Sequence, residues 1–173
     1  YDQLQQRLRE LESAFPDLLS PDSPSQRVGG EPLAEFPSWR HIVPMLSLDN
    51  TYNREELTEF DGRLRRWLGI ERIDYVVECK VDGVAVSLVY ESGRFTVGAT
   101  RGDGEVGDDV TANLRTVRSL PLLLRAAAPP DRVEIRGEVY LPRSTFQRLN
   151  DERRRAGEPP FANARNATAG SLK

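Results

Sequence analysis

Apolar positions along the chain follow two different periods. Leu4, Leu8, Leu11 and Phe15 recur at spacings of four, three and four, the repeat of one helix face, so residues 1–15 predict an amphipathic helix that Pro16 stops. A second helix is predicted after Asn53, which can cap it with Glu56 three residues on. Leu57, Phe60, Leu64 and Trp67 then line one face, and Gly69 suits its end. Between the two, residues 16–40 hold Pro16, Pro21, Pro24, Pro32 and Pro37 with Gly29-Gly30 and little periodicity. That composition predicts a connector over the surface and a subdomain boundary.

The pattern changes after Gly69. Tyr75–Lys80 and Val84–Tyr90 are rich in Val and Leu and predict strands; Ser92-Gly93 turns the second into another strand, Arg94–Thr100, so the sheet is at least partly antiparallel. A Gly-rich stretch from Gly102 to Gly107 leads to a short helical segment near Val110–Val117. Over Val133–Leu141 the alternation is clean: Val133, Ile135, Gly137, Val139 and Leu141 share one face, Glu134, Arg136, Glu138 and Tyr140 the other, and Pro142 ends the run. Ser144 with Gln147 predicts the start of a helix carrying Phe146 and Leu149 inward and ending near Gly157. Strands and helices mix without βαβ alternation, which predicts the α+β class, with largely antiparallel sheets and flanking helices.

Composition narrows the classes of function. The chain has 173 residues, 38% hydrophobic and 29% charged, enough for one ordinary domain with its own core. No apolar run approaches the roughly 18 residues of a membrane span, and no charged-then-apolar leader opens the sequence. Tyr1 in place of Met, and Lys173 inside a patterned stretch, read as cut ends. The single cysteine, Cys79, excludes an internal disulfide and a thiolate zinc site, which favours a reducing compartment. A net charge of −3 supplies no basic footprint for nucleic acid. Of 24 Lys plus Arg, all but Lys80 and Lys173 are Arg. Arginine stays protonated, whereas a lysine amine can be made nucleophilic, so the one internal lysine stands out.

Its neighbours are Glu78-Cys79-Lys80-Val81-Asp82-Gly83. On a strand, Glu78, Lys80 and Asp82 would share one face, and Gly83 would let the backbone bend or approach a ligand closely. An acid–Lys–acid face is equally readable as an exposed salt bridge worth about 0–1 kcal/mol.

Lys80-Val81-Asp82-Gly83 resembles the KxDG signature of the covalent nucleotidyltransferases: DNA ligases, RNA ligases and capping enzymes. The surroundings are more specific. The blocks are His41-Ile42-Val43-Pro44-Met45-Leu46-Ser47-Leu48-Asp49-Asn50, Ala99-Thr100-Arg101-Gly102-Asp103-Gly104, Arg136-Gly137-Glu138-Val139, and Phe161-Ala162-Asn163 through Ala169-Gly170-Ser171-Leu172. They occur in the order and approximate spacing of bacterial NAD-dependent DNA ligases, and the resemblance covers essentially the whole chain. Ala164, where that family often has proline, and Thr168, where it often has alanine, depart from the pattern and leave the local turn geometry open.

The resemblance implies a covalent nucleotidyltransferase (adenylation-domain, ATP-grasp-like) fold, incomplete here. Residues 1–38 would be the remnant of an N-terminal helical subdomain with its Pro-rich connector, and residues 39–173 the N-terminal part of the adenylation domain. It implies that Lys80 attacks the α-phosphate of NAD, forms lysyl-AMP and releases nicotinamide mononucleotide. AMP then passes to the 5′-phosphate of a nick in double-stranded DNA, and the 3′-hydroxyl seals the strand in replication and repair. By the same resemblance Glu78 accepts from the adenine amino group, Glu138 from a ribose hydroxyl, Arg101 contacts the nucleotide, and Ser47 and Leu48 line its pocket. Tyr1 and Asp2 match the tail of the nicotinamide-recognition segment. An amine attacks only when deprotonated, and adjacent carboxylates favour the ammonium. Either burial in a closed pocket or a divalent cation must oppose them; Mg²⁺ or Mn²⁺ is expected, since it also neutralises charge on the phosphoryl oxygens, with Asp82 either structural or linked to it. Zn²⁺ would belong to a region outside this chain, as would two further lysines and the DNA-gripping domains. The expected protein is a monomer of the bacterial cytoplasm, associated with the nucleoid and not with a membrane. Two other readings stay open: an ATP- or GTP-using RNA ligase or capping enzyme, and a catalytically idle nucleotide-binding fragment.

Overall fold

The computed structural model describes residues 2–20, 23–27 and 36–172. The chain divides into two compact units, Tyr1–Met45 with Asp82–Lys173, and Leu46–Val81.

The larger unit is built around a strand buried on both faces. β2 (Val84–Glu91) pairs antiparallel with β3 (Arg94–Thr100) on one side and with β5 (Arg132–Val139) on the other. The β2–β3 hairpin turns at Ser92-Gly93, whose φ angles of 47° and 79° are both positive, the geometry whose twist matches that of the flanking strands. A bulge between Val89 and Tyr90 shifts the register so that Tyr90 faces Phe95, and their rings lie 5.5 Å apart. Val86, Leu88 and Tyr90 alternate onto one face and pack with Phe95, Val110, Leu114, Leu122 and Leu172 to form the core. The buried Tyr90 hydroxyl donates to the Pro121 carbonyl at 2.8 Å, which satisfies the one polar atom this ring brings inside. In β5, Val133, Ile135, Gly137 and Val139 oppose Tyr90, Leu88, Val86 and Val84, the face that the alternation predicts.

Two short strands are not announced by periodicity. β1 (Ser38–Arg40) pairs antiparallel with β4 (Val106–Asp108), and the pairing continues as His41 N–H donates to Glu105 O at 2.9 Å and Met45 N–H to Gly104 O at 2.8 Å. Between β3 and β4 the chain reverses through Arg101-Gly102-Asp103-Gly104. Gly102 and Gly104 have φ of 58° and 103°, and a Cβ on Gly102 would lie 1.8 Å from the Val106 carbonyl oxygen, so no other residue fits there. The Asp103 carboxylate accepts from Glu105 N–H and Val106 N–H at 2.9 and 2.8 Å.

The helices follow the sequence reading closely. α1 (Asp2–Ala14) ends before Pro16. α3 (Thr111–Arg115) buries Leu114 against the sheet, and α4 (Arg143–Arg155) and α5 (Ala164–Leu172) complete the unit. α4 starts two residues earlier than expected, with Pro142 at its N-cap and no side-chain cap bond, so the Ser144/Gln147 box does not form. Proline fixes the entering backbone and takes the cap position itself. The hydroxyl of Thr168, buried in α5, donates to the Ala164 carbonyl at 2.8 Å. The two departures from the family pattern therefore meet one another inside a regular helix.

The smaller unit holds α2 (Arg54–Leu68). Asn53 caps it by accepting from Glu56 N–H at 2.8 Å, while Glu56 accepts from Tyr52 N–H at 2.7 Å. Gly69 closes it in the left-handed conformation. The predicted apolar face is only partly covered: Phe60 and Leu64 are half-buried, whereas Leu57 is exposed and Trp67 is 81% exposed. The strand expected over Tyr75–Lys80 does not form; the segment pairs with no strand, and Val76 and Val77 are 86% and 93% exposed. A run of β-formers becomes a strand only when a partner offers a ladder, and among the described residues this run has none. No helix among the described residues is long and apolar enough to cross a membrane.

Leu114 is 1% exposed, and Leu114→Ala is expected to cost about 3 kcal/mol in urea unfolding. The Asp103 carboxyl is held below its ordinary 3.8, first by the Val106 N–H and then by the Glu105 N–H. A depressed acid stabilises the fold fully above its unfolded value and loses that contribution as pH falls through the folded one. An NMR titration of the Asp103 carboxyl should therefore give a midpoint under 3.8, and a midpoint at or above it contradicts the turn.

Candidate functional site

The residues singled out in the sequence fall on both units. Ser47, Leu48, Glu78 and Lys80 belong to the smaller one, and Asp82, Arg101 and Glu138 to the larger. Tyr1 lies outside the described residues, and Asp2 is placed only as the first residue of α1.

In the larger unit, Gly83 and Glu138 are brought together. The Glu138 carboxylate accepts from Gly83 N–H at 3.0 Å, across the register pairing Val84 with Val139. A Cβ on Gly83 would meet the Val139 carbonyl oxygen at 2.0 Å, so the glycine of the KxDG signature is required by close backbone approach. Asp82 is exposed and pairs with Arg165 at 3.8 Å, a surface ion pair of little energetic weight. The Glu138 carboxylate is thus bonded to a backbone amide, while Arg136 on the same strand pairs with Glu134.

Arg101 is anchored by its own backbone. Its N–H donates to Ala85 O of β2 at 3.0 Å, and its carbonyl accepts from Gly104 N–H at 3.0 Å. The same carbonyl lies 3.1 Å from Nε2 of His41. His41 is 6% exposed. It stands in one of the blocks that carry the resemblance, yet no role attaches to it from sequence; being the only histidine of the chain is the one signal that points to it.

Arg136 likewise has no role assigned from sequence. Its guanidinium donates to the carbonyls of Val43 and Pro44 and, through Nε, to Glu134 at 3.0 Å. Glu134 in turn accepts from the buried Ser87 hydroxyl at 2.9 Å. A polar chain therefore runs from the centre of β2 across β5 to the segment following His41. Each carbonyl it binds would otherwise rely on solvent.

In the smaller unit Lys80 is exposed. The common face expected for Glu78, Lys80 and Asp82 has no strand to carry it, because this stretch is unpaired. Glu78 borders a groove of about 620 Å³ that Leu57, Thr58, Asp61, Tyr75, Val76 and Val77 also line. The Tyr75 hydroxyl donates to Asp61 at 2.8 Å and is pushed above the usual phenol range, mainly by desolvation and then by the Asp61 carboxylate. Leu48 lies along a second groove of about 440 Å³ with Asp49, Asn50 and Tyr52, and Ser47 beside it is exposed. Among the described residues no group of three His, Cys, Asp or Glu side chains is placed to hold a metal ion.

Comparison with known proteins bears on the same residues. The NAD-dependent DNA ligase adenylation domain matches residues 33–173, and the DNA ligase-like, N-terminal NAD+-binding domain matches residues 1–29. Among curated relatives, the DNA ligase of Geotalea uraniireducens is 58% identical over 176 residues, covering 100% of this chain and 26% of the relative. The DNA ligase of Geobacter sulfurreducens is 57% identical, covering 100% and 26%. That of Thermotoga maritima is 57% identical over 173 residues, covering 100% and 25%. The chain thus spans about a quarter of the length of the curated relatives it matches. With more than half of its residues inside the adenylation-domain match, the chain belongs to the NAD-dependent DNA ligase adenylation-domain family.

Proposed function

We propose that this chain is the nucleotide-binding core of an NAD-dependent DNA ligase, and that Lys80 is its nucleophile. The observation that carries the reading is the KxDG lysine inside a family match that spans the signature and its flanking blocks. Residues 1–38 form the remnant of an N-terminal helical subdomain with its connector, and residues 39–173 the first part of a covalent nucleotidyltransferase fold.

The chemistry follows from the atoms. The Lys80 amine attacks the α-phosphorus of NAD; a P–N bond forms, the P–O bond to nicotinamide mononucleotide breaks, and the amine sheds a proton. An oxygen of the 5′-phosphate at a nick then attacks the AMP phosphorus and returns the amine. Finally the 3′-hydroxyl attacks the activated phosphate, AMP leaves, and the strand is closed. Lysine suits this task where arginine does not, since only its amine can shed a proton and attack.

Glu78, beside its groove, takes the adenine amino group; Glu138, on a rigid strand, takes a ribose hydroxyl; Arg101 reaches ribose or phosphate oxygens with its planar fork. Ser47 and Leu48 line the nucleotide pocket, and Tyr1 and Asp2 belong to the nicotinamide-recognition segment. The described side chains form no cage for a divalent ion. Magnesium is commonly held by substrate phosphates with one or two carboxylates, of which Asp82 is the candidate, and when bound it offsets phosphoryl charge. The protein acts as a monomer in the bacterial cytoplasm at the nucleoid.

Full-length protein mixed with NAD should gain the mass of one AMP on Lys80, and Lys80→Ala and Lys80→Arg should both abolish it. Labelling from ATP in place of NAD would point instead to the RNA-ligase or capping-enzyme reading. The 173 residues by themselves should bind adenylates weakly and leave nicked duplex open in a gel-based sealing assay; closure of the nick would overturn that expectation.

A further inference from the structure

His41 is an odd residue to bury. Its Nε2 lies 3.1 Å from the Arg101 carbonyl, while its Nδ1 is the one buried side-chain polar atom among the described residues with no hydrogen-bond partner. A carbonyl oxygen only accepts, so Nε2 must carry the proton. A ring chosen for packing would be apolar, because an apolar ring of similar size leaves no unpaired nitrogen inside. What distinguishes histidine here is the donor on Nε2.

The position of that donor is informative. Arg101 sits at the head of a turn that two left-handed glycines make tight, and its backbone N–H is already fixed to Ala85 of β2. The carbonyl is held twice, by Gly104 N–H from within the turn and by His41 from outside it. His41 is itself fixed through its own N–H to Glu105 O. A Cβ on Gly107 would strike the Thr100 carbonyl oxygen at 1.7 Å and also stand 3.2 Å from Nε2. The segment after His41 is clamped by Arg136 on the carbonyls of Val43 and Pro44. The imidazole is thus a strut between a clamped segment and the peptide unit from which the Arg101 side chain departs.

We propose that His41 is a positioning residue for nucleotide binding: through its Nε2–H it fixes the Arg101 peptide, and so aims the Arg101 guanidinium at the ribose or phosphate oxygens of the adenylate donor. The proposal rests on the reading of Arg101 as a nucleotide contact. His41 touches neither substrate nor reacting atoms, so its loss acts on donor binding and leaves the attack by Lys80 in place.

The test measures adenylation of Lys80 in the full-length protein against NAD concentration. His41→Phe is expected to raise the half-saturating NAD about tenfold, the effect of one hydrogen bond removed from a buried acceptor. The maximal rate stays close to wild type. His41→Gln, whose amide N–H reaches to the Nε2 position, restores the wild-type value, whereas His41→Asn, one methylene shorter, does not. Because His41 acts through Arg101, adding His41→Phe to Arg101→Ala should produce no further loss. Unchanged half-saturation in folded His41→Phe, or two losses that multiply in the double variant, overturns the proposal. Should His41→Phe fail to fold, His41→Asn with wild-type half-saturation overturns it equally. A wild-type protein that takes no AMP from NAD defeats the ligase reading instead. Imidazole ¹⁵N shifts then judge the strut separately, a proton on Nδ1 overturning it and one on Nε2 upholding it.

Discussion

Everything described in the larger unit depends on β2 being paired along both edges and covered on both faces. A strand so enclosed has no water to satisfy its amides, so each must find a partner in β3 or β5, and the register of all three becomes fixed. Fixing the register fixes the ends. At one end Gly83 abuts Val139 and donates to Glu138; alongside, Ala85 offers its carbonyl to Arg101. The candidate nucleotide contacts of this unit are therefore held by main-chain pairing, the least compliant means available.

The two faces of β2 have different duties. Val86, Leu88 and Tyr90 supply apolar burial. The opposite face carries Ser87, whose hydroxyl begins the polar chain through Glu134 and Arg136 to the carbonyls of Val43 and Pro44. This chain starts at a buried hydroxyl, which must be satisfied, and ends at the exposed Arg136, on carbonyls of a segment that has no strand of its own. The segment from His41 to Met45 is thus tied to the sheet by side chains and to the Gly-rich turn by backbone bonds. An irregular stretch gains the precision of a strand in this way.

The smaller unit is organised differently. Its one helix is well capped at both ends, yet a segment of 36 residues can enclose little apolar surface, and its Val76, Val77 and Trp67 remain exposed. Lys80, the residue on which the proposed chemistry turns, sits on this open stretch, whereas Glu138 sits on β5 and Arg101 is fixed by its backbone bonds to Ala85 and Gly104. The proposed contacts Arg101 and Glu138 are held by backbone bonds, whereas Ser47, Leu48, Glu78 and Lys80 lie outside any strand or helix.

Sequence by itself determined whatever depends on neighbours in the chain. Helix limits at Asn53 and Gly69, the Ser92-Gly93 hairpin and the inward face of β5 are legible because caps, turns and alternation are local properties. The KxDG lysine and its flanking blocks are legible because chemistry restricts which residues can serve. Tertiary structure decided the rest. Tyr75–Lys80 has strand composition and no ladder, and β1 and β4 have a ladder without strand composition, since pairing belongs to two segments and neither records its partner. His41 looked like one more member of a motif until folding set its Nε2 against the Arg101 carbonyl, 60 residues away along the chain. A hydrogen bond across that separation is written in distances, and distances exist only once the chain has closed on itself.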